Sequence, residues 1–506
     1  MQRDTTSRQL RTSNKALEIY IDYKSSSNHT DIAATYNNLG NAYRNKGEYG
    51  QAITYYEQVL EIHRIAYKSS PNHPDIAVSN SSLGNAYKDK GEYDQAITYY
   101  EQALKIYKVV YASNPNHPAI AMNYNGLGTT YFDKGEYNQA ITCCEQALKI
   151  YKVVYASNNP NHPDIARTYN NLGNAYSNKG HYEQAIENYN KALEIYEVAH
   201  HPNHPSIAAT CNNLGATYRN TGEYGQAIEN YNKALKIYKI VYESNPNHFN
   251  IASICNNLGC AYYAKGEYVP AIIFYEQALK IYKVIYASNL NHPYIASSYN
   301  GLGNAYSNKG EYEQAITYYK QALEIYKIAY ESSPNNPAIA AICNNLGTTC
   351  SDKREYDQAI TYYEQALEIY KIVYESNPNH STIAAIYNNL GTTCSDKGEY
   401  GQAIKYYKQA LEIYKIAYKS NHNHPNIAGS YNGLGNAYSN KGEYEQAITY
   451  YKQALEIYKI AYESSPNHHA IAMNYNSLGA TYCAKGHYDQ AIKYYKQATG
   501  DIQNSL

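Results

Sequence analysis

The sequence lacks several features that mark other protein classes. It has no tryptophan, three phenylalanines and three methionines among 506 residues. It contains no run of 18 consecutive apolar residues, which a transmembrane helix would need. The first residues, MQRDTTSRQLRTSN, are polar, so no secretory signal is predicted. Nine cysteines, an odd number without framework spacing, favour a reducing compartment. We therefore expect a cytoplasmic protein without membrane insertion.

The chain also lacks an excess of either charge. Its 43 Lys and Arg residues nearly cancel its 44 Asp and Glu residues, which leaves a net charge of −1. Nucleic-acid-binding surfaces need an excess of basic residues, so no nucleic-acid partner is expected. Tyrosine is abundant instead, with 66 copies. Tyrosine must therefore take the aromatic core positions, and its hydroxyls need water or a partner.

One pattern dominates the chain: a Leu-Gly pair returns eleven times, with most gaps equal to 44 residues. The leucines are Leu39, Leu83, Leu127, Leu172, Leu214, Leu258, Leu302, Leu346, Leu390, Leu434 and Leu478. A period of this length indicates units that cannot bury their apolar faces alone and must stack on their neighbours. The function is then expected on an extended surface.

A single repeat predicts a helical hairpin, as residues 75–118 illustrate. Apolar residues recur at helical spacing in two stretches. Pro74 predicts the start of the first helix, and Gly91 predicts its end through a left-handed residue. Gly84 and Ala96 are small enough for the two helices to approach closely. In the run DKREY, Arg354 replaces the turn glycine, which predicts a strained left-handed arginine whose replacement by Gly is stabilising.

The spacing of small and aromatic residues resembles the tetratricopeptide repeat. In the second repeat the matching residues are Leu83, Gly84, Tyr87, Gly91, Tyr93, Ala96, Tyr100 and Ala103. The resemblance implies an all-α, right-handed solenoid (a superhelix) of about eleven helical hairpins plus an N-terminal half repeat. The 44-residue length, with runs such as NNLGNAY and NHPDIA, is similar to the long repeats of kinesin light chains and nephrocystin-type proteins. It implies a non-enzymatic protein-interaction scaffold, and the sharper version is a cargo adaptor.

Four segments follow from this pattern. Residues 1–13 are a polar N-terminus expected to be disordered, and residues 14–30 match a second helix without its first helix. Residues 31–500 hold the eleven repeats, and residues 501–506 form a tail. The half repeat suggests either a fragment of a longer chain or end-to-end self-association. Residues 1–13 cannot supply the heptad coiled coil through which kinesin light chains bind their motor chain.

In solenoids of this family, residues two before the Leu, and two, five and six after it, point into a concave groove. The position two before it is occupied by Asn37, Ser81, Asn125, Asn170, Asn212, Asn256, Asn300, Asn344, Asn388, Asn432 and Asn476. Asparagine is disfavoured inside helices, so this column needs a reason. One hypothesis is that the carboxamides bind the backbone of an extended peptide. The other is that each bonds the neighbouring repeat, and both can hold together.

Two further columns complete the candidate peptide site. The position two after the Leu carries Asn41, Asn85, Asn174, Asn304 and Asn436. The position five after it carries Arg44, Lys88 and Arg219 in the N-terminal half and mostly Ser later. The N-terminal half is therefore expected to attract acidic peptide segments first. Residues 298–335 and 430–467 are identical, so two stretches of the groove would read the same ligand sequence.

No constellation for catalysis, cofactor or metal binding is predicted. Histidines recur in the linkers about one repeat apart, too far to share an ion, and the cysteines replace core residues as small apolar fillers. There is no CxxC pair, phosphate loop or GxSxG motif. Two alternatives to the peptide scaffold stay open. One is a structural spacer or assembly element, and the other is an accessory repeat region of a larger enzyme.

Overall fold

The computed structural model describes residues 29–157, 159–465 and 468–503. The predicted polar N-terminus, residues 14–28 of the half repeat and residues 504–506 of the tail lie outside the described residues. Every regular element within the described part of the chain is an α-helix, and the helices come in consecutive pairs. The all-α hairpin architecture predicted from the repeat is thus confirmed.

Each repeat contributes a first helix that carries the Leu-Gly pair and a second helix that follows the turn. The described helices are α1 His29–Lys46, α2 Tyr49–Ala66, α3 Pro74–Lys90, α4 Tyr93–Val110, α5 Pro118–Lys134, α6 Tyr137–Tyr155, α7 Pro163–Asn178, α8 Tyr182–Ala199, α9 Pro205–Asn220, α10 Tyr224–Val241, α11 Phe249–Ala264, α12 Tyr268–Ile285, α13 Pro293–Asn308, α14 Tyr312–Ala329, α15 Pro337–Asp352, α16 Tyr356–Val373, α17 Ser381–Lys397, α18 Tyr400–Ala417, α19 Pro425–Asn440, α20 Tyr444–Ala461, α21 His469–Ala484 and α22 Tyr488–Gln503. The last helix continues three residues beyond the predicted end of the array.

The chain divides into two compact units, unit 1 ending at Pro246 and unit 2 beginning at Asn247. Unit 1 contains α1–α10 and unit 2 contains α11–α22. Inside each unit, the two helices of a hairpin pack together, and the second helix also packs against the first helix of the next hairpin. Each unit is therefore a row of stacked hairpins in which every repeat covers the apolar face of its neighbour.

The hairpin turns have the left-handed backbone that the sequence predicts. Ten turn glycines have φ between 83° and 90°, and Gly91, for example, bonds back to the carbonyls of Tyr87 and Lys88. At the equivalent position Arg354 has φ 67° and is the one non-glycine residue with positive φ among the described residues. A side chain in this conformation costs roughly 1–2 kcal/mol, so the predicted strain at Arg354 is present.

Linker histidines start most of the first helices. The Nδ1 atom of each accepts a hydrogen bond from the backbone N–H two residues later, at 3.2–3.3 Å. The capping residues are His73, His117, His162, His204, His248, His292, His380, His424 and His468, and Asn336 caps α15. Most of the rings also stack on the tyrosine that ends the preceding helix, as Tyr286 does on His292 with centroids 3.6 Å apart. The histidine ladder therefore orders the linkers.

The core is built from leucine, alanine and tyrosine around close helix contacts. Leu83 and Ala96 are fully buried, and Tyr100 is 2% exposed. A Cβ added at Gly84 would lie 3.0 Å from the Tyr100 ring, which confirms that the glycine of the Leu-Gly pair permits close approach. Among the residues described, no helix is long and apolar enough to cross a membrane.

Candidate functional site

We define the asparagine face as the residues two before the Leu and two, five and six after it in each first helix. These spacings place the side chains on one side of an α-helix, because three or four residues make one turn. Most of the asparagines two before the Leu are half-buried, whereas Asn125 is buried and Asn476 is exposed. Asn41 and Asn436, two after the Leu, are exposed. The face thus contains the predicted site residues of both units.

Six asparagines of the first column, two before the Leu, are tied to the next hairpin through their carboxamide oxygens. An asparagine of the following first helix donates from Nδ2 to Oδ1 of the column residue. The donor–acceptor pairs are Asn171–Asn125 at 3.3 Å, Asn213–Asn170 at 3.4 Å, Asn345–Asn300 at 3.2 Å, Asn389–Asn344 at 3.0 Å and Asn474–Asn432 at 3.1 Å. The hydroxyl of Ser430 donates to Asn388 at 3.1 Å. These bonds hold adjacent hairpins together.

The amide nitrogens of the same residues differ in whether they have a hydrogen-bond acceptor within the protein. In Asn125 the nitrogen donates to the Thr168 hydroxyl at 3.0 Å, so both ends of this carboxamide are bonded. No acceptor contacts the Nδ2 atoms of Asn170, Asn300, Asn344 and Asn432 within the part of the chain that the structure describes. These four residues therefore present a donor that the protein does not use.

Asn256 is an exception among the described members of the column. Its Oδ1 atom is buried and has no hydrogen-bond partner among the described residues. The reason is the residue before the next Leu, which is Gly301 where α15 and α17 have Asn345 and Asn389. Without a side chain, Gly301 has no amide to donate. The neighbouring Tyr275 ring occupies the space, since a Cβ at Gly301 would lie 2.5 Å from its Cε1 atom.

The second column, two after the Leu, is bonded to tyrosines that sequence reasoning did not assign to the site. The hydroxyl of a second-helix tyrosine donates at 2.7 Å to Oδ1 of the asparagine in its own hairpin. The pairs are Tyr56–Asn41, Tyr100–Asn85, Tyr189–Asn174, Tyr319–Asn304 and Tyr451–Asn436. Burial raises the pKa of Tyr56 and Tyr451 to about 12, so these hydroxyls stay protonated. A tyrosine recurring 15 residues after each asparagine was the available signal.

The third column, five after the Leu, differs in chemistry between the units. In unit 1, Arg44 Nε lies 2.5 Å from Oδ2 of Asp89, which stands six after the next Leu. Lys88 contacts the Thr129 hydroxyl at 3.5 Å. Burial raises the pKa of Asp133, and the positive charge of Lys88 offsets part of that rise. In unit 2 the column is mostly serine, as in the Ser307–Thr349 and Ser351–Thr393 hydroxyl pairs at 3.0 and 3.1 Å.

Most of the cysteines in the described residues are buried. Burial raises the pKa of Cys211 and Cys343 to about 11, which keeps both thiols protonated and weakly nucleophilic. Cys260 accepts a hydrogen bond from the Tyr275 hydroxyl at 3.3 Å. Across the described part of the chain, no three His, Cys, Asp or Glu side chains are placed to hold a metal ion.

Comparisons with known proteins address the fold. No curated protein sequence matches the chain significantly. The apo form of RapI is 16% identical and aligns over 77% of this chain and 99% of its own, with a TM-score of 0.55. BtubC (BKLC) from P. vanneervenii is 20% identical over 47% of this chain and 92% of its own, with a TM-score of 0.41. Nearly identical TPR-like repeats of a candidate kinesin light chain from Podosopora anserina are 24% identical over 42% and 98%, with a TM-score of 0.36.

The family is established by sequence profiles. The profile of the tetratricopeptide repeat matches overlapping segments that together span residues 10–240 and 294–500. A second tetratricopeptide profile matches residues 252–283. The RapI likeness agrees with these matches at the level of the fold. The chain therefore belongs to the tetratricopeptide repeat family.

Proposed function

We propose that the chain is a non-enzymatic scaffold that binds extended peptide segments on the asparagine face. Tetratricopeptide repeats are typical of protein–protein interaction scaffolds. The observation that supports the proposal is that the oxygen and the nitrogen of the same first-column carboxamide differ in whether they are hydrogen-bonded. The oxygens of Asn170, Asn300, Asn344 and Asn432 accept from the next hairpin, whereas the nitrogens of the same four residues have no acceptor among the described residues.

This arrangement suits a peptide backbone. A carboxamide held by its oxygen has a fixed orientation, so less side-chain entropy is lost when its nitrogen bonds a ligand carbonyl. Each such bond contributes roughly 0.5–1.5 kcal/mol net, and several in a row give an affinity on the order of micromolar. Both earlier hypotheses for the column are then combined, with the oxygen bonded between hairpins and the nitrogen available to the ligand.

The experiment uses substitutions that keep one end of the carboxamide and change the other. Asn300→Asp, Asn344→Asp and Asn432→Asp together retain an acceptor for the next hairpin but replace the donor with an anionic oxygen. Partners recovered from lysate and identified by mass spectrometry should be lost with this triple variant. The matched control is Gln314→Glu, Gln358→Glu and Gln446→Glu, which adds the same charge at exposed positions of the same hairpins. Equal recovery by both variants and the wild type would contradict the proposal.

The ligand charge preferred by unit 1 is a finer part of the proposal. Arg44 is paired with Asp89, and Lys88 lies beside Asp133, so acids of the face offset two of its three bases. Arg219 has no ion pair among the described residues. We therefore centre the preference for acidic segments on Arg219. The variant Arg219→Gln should weaken binding of glutamate-containing peptides and leave binding of neutral peptides unchanged.

The cargo-adaptor version of the proposal is supported by the repeat sequence. The runs NNLGNAY and NHPDIA resemble the repeats of kinesin light chains, which recruit cargo. Identifying the proteins that are lost with the Asp triple variant would test this role directly. Recovery of vesicle or organelle proteins in that set would support the cargo-adaptor role. A set that contains other proteins but none of these would contradict it.

One observation favours a second function, that of an assembly element. Each of ten second helices exposes a valine or isoleucine at the same position, 26 residues after the Leu, with 46–70% of the side chain exposed. They are Ile65, Val109, Val153, Val198, Ile240, Val284, Ile328, Ile372, Ile416 and Ile460. We infer a contact surface where the stacking of consecutive hairpins brings these residues side by side, since contiguous exposed apolar patches mark interaction sites.

This second function predicts association of copies through that column. Sedimentation velocity should show association of the wild-type chain that the double variant Ile328→Lys, Ile372→Lys abolishes. The control Thr317→Lys, Thr361→Lys adds the same charge at other exposed positions of the same helices. A wild-type chain that sediments as a monomer at high concentration would rule the assembly function out.

A further inference from the structure

A cleft of about 500 Å³ opens on the asparagine face of unit 2, between the hairpins that begin with α15 and α17. Its lining includes Thr348, Asp352, Arg354, Thr392 and Asp396, together with two tyrosines. All but the two tyrosines and Arg354 come from the two first helices. The cleft therefore belongs to the face on which a peptide is proposed to lie.

Two consecutive second-column positions in the lining of the cleft carry threonine, whose side chain is shorter than that of asparagine. Thr348 and Thr392 stand where Asn304 and Asn436 occur in flanking hairpins. Each threonine hydroxyl still forms a hydrogen bond with the tyrosine of its own hairpin. The Tyr363 hydroxyl donates to Thr348 at 3.0 Å, and the hydroxyls of Thr392 and Tyr407 lie 2.9 Å apart. The hairpin packing is thus kept, and each threonine extends less far from its helix than an asparagine would.

Unit 1 shows what normally faces the acidic residues of this surface. There Arg44, five after its Leu, reaches Asp89, six after the next Leu, at 2.5 Å. In unit 2 the same geometry places Ser307 before Asp352 and Ser351 before Asp396. Both serine hydroxyls are bonded to threonines of the next hairpin. The two aspartates therefore lack the base that the repeat geometry supplies to Asp89.

Other bases of the region do not replace that partner. Lys353 pairs with Glu313 and Glu355, and Lys397 pairs with Asp357 and Glu399, all outside the cleft lining. Arg354 lines the cleft but forms no ion pair with Asp352 or Asp396 in the described residues. Partial burial raises the pKa of both Asp352 and Asp396.

We propose that this cleft receives the guanidinium or ammonium group of an arginine or lysine side chain from a peptide bound on the asparagine face. The ligand cation takes the place that Arg44 holds opposite Asp89, with Asp352 and Asp396 as its anions. The hydroxyls of Thr348 and Thr392 add polar lining, and Arg354 supplies donors to peptide carbonyls. This inference rests on the proposed peptide-binding function and adds a basic anchor residue to it.

The test uses three pools of acetylated, amidated nonapeptides that carry Arg, Gln or Glu at the centre and random neutral residues elsewhere. Binding to the full chain is measured by competition against a fluorescent Arg-pool member selected on the wild type. The Arg pool should bind at least about tenfold more tightly than the Gln pool, since a charge-assisted bond is the difference. The isosteric variant Asp352→Asn, Asp396→Asn should remove this preference. Circular dichroism checks that the variant is folded.

The matched control is Glu368→Gln, Glu412→Gln, which removes the same charge from exposed second-helix positions of the same two hairpins. Equal binding of the Arg and Gln pools, or equal effects of the two charge variants, would overturn the anchor. If the neutral pool still responds to the Asn300→Asp, Asn344→Asp, Asn432→Asp variant, the peptide-binding function survives that result. If no pool responds to either set of substitutions, both proposals fail.

Discussion

Two neighbouring hairpins of unit 2, α13–α14 and α15–α16, share one backbone plan, and their differences include four positions that set a junction, a cap, a turn and a second-column contact. With the residue of α13–α14 first, the pairs are Gly301 and Asn345, His292 and Asn336, Gly310 and Arg354, and Asn304 and Thr348. At the first position, one junction with the preceding hairpin is filled by a tyrosine ring and the other is bridged by amides. The same stacking is thus reached by packing in one hairpin and by hydrogen bonding in the other.

The largest effect is expected when the packed junction is given the side chain of the bonded one. Gly301→Asn places a Cβ 2.5 Å from the Tyr275 ring, which is 3% exposed and cannot move freely. Overpacking of this kind costs roughly 1–3 kcal/mol. We expect a lower urea midpoint, measured by circular dichroism.

A second glycine separates the clash from the change of helix propensity. Gly429 lies inside α19, and its Cβ would find its nearest neighbour, the Tyr458 hydroxyl, at 3.9 Å. Gly429→Ala should therefore raise stability by up to about 1 kcal/mol, the helix propensity difference between the two residues. A Gly301→Asn variant as stable as the wild type would show that the ring does not fill the junction.

The reverse change weakens the bonded junction. Asn345 donates to Asn300 and Asn304, at 3.2 Å in each case. Asn345→Ala leaves those acceptors without this donor and should cost about 1–3 kcal/mol. At the packed junction the oxygen of Asn256 already lacks a partner, so Asn256→Ala should cost less than Asn345→Ala. Urea denaturation and hydrogen exchange of α13 compare the two variants, and equal losses would contradict the assignment.

The turns give the next contrast, since Gly310 and Arg354 occupy the same left-handed position. Arg354→Gly relieves a φ of 67° and should raise the free energy of unfolding by about 1 kcal/mol. Gly310→Arg should lower it by a similar amount, because its φ of 83° is equally left-handed. Thermal melting of the two single variants and the double variant measures both. An unchanged or lower melting temperature for Arg354→Gly would refute the strain.

The sequence was sufficient for the hairpins because their signals are local. The turn glycines, the Arg354 exception and the start at Pro74 depend on a few adjacent residues and on helical periodicity. The family spacing also located the columns of the asparagine face. What was open was the partner of each carboxamide, since a column of asparagine fits a ligand or a neighbour equally well.

The contacts of the candidate site that the sequence did not predict join residues far apart in the chain. Tyr319 reaches Asn304 across 15 positions, and Asn345 reaches Asn300 across 45. The cleft beside Thr348 is lined by side chains of two consecutive hairpins. Such contacts follow from how hairpins stack, which periodicity does not specify. The repeated tyrosine was visible in the sequence, but its hydroxyl partner was not.

The smallest contrast concerns the caps. His292 Nδ1 accepts from the Tyr294 N–H at 3.3 Å, and Asn336 Oδ1 accepts from the Ala338 N–H at 2.9 Å. Only the neutral imidazole can accept in this way. Burial lowers the pKa of His292 below its ordinary value, so its contribution to stability is complete above about pH 6.5. It is lost as the pH falls through that value toward the lower pKa of the folded state.

The variant His292→Asn should therefore lose less stability than the wild type between about pH 7.5 and pH 5.5. The difference should not exceed about 1 kcal/mol, the usual contribution of an N-cap. Urea denaturation at several pH values measures it, and His292→Ala serves as the control that lacks a cap at every pH. Because an asparagine amide does not titrate in this range, parallel pH profiles for wild type and His292→Asn would mean that the cap of α13 does not depend on the neutral ring.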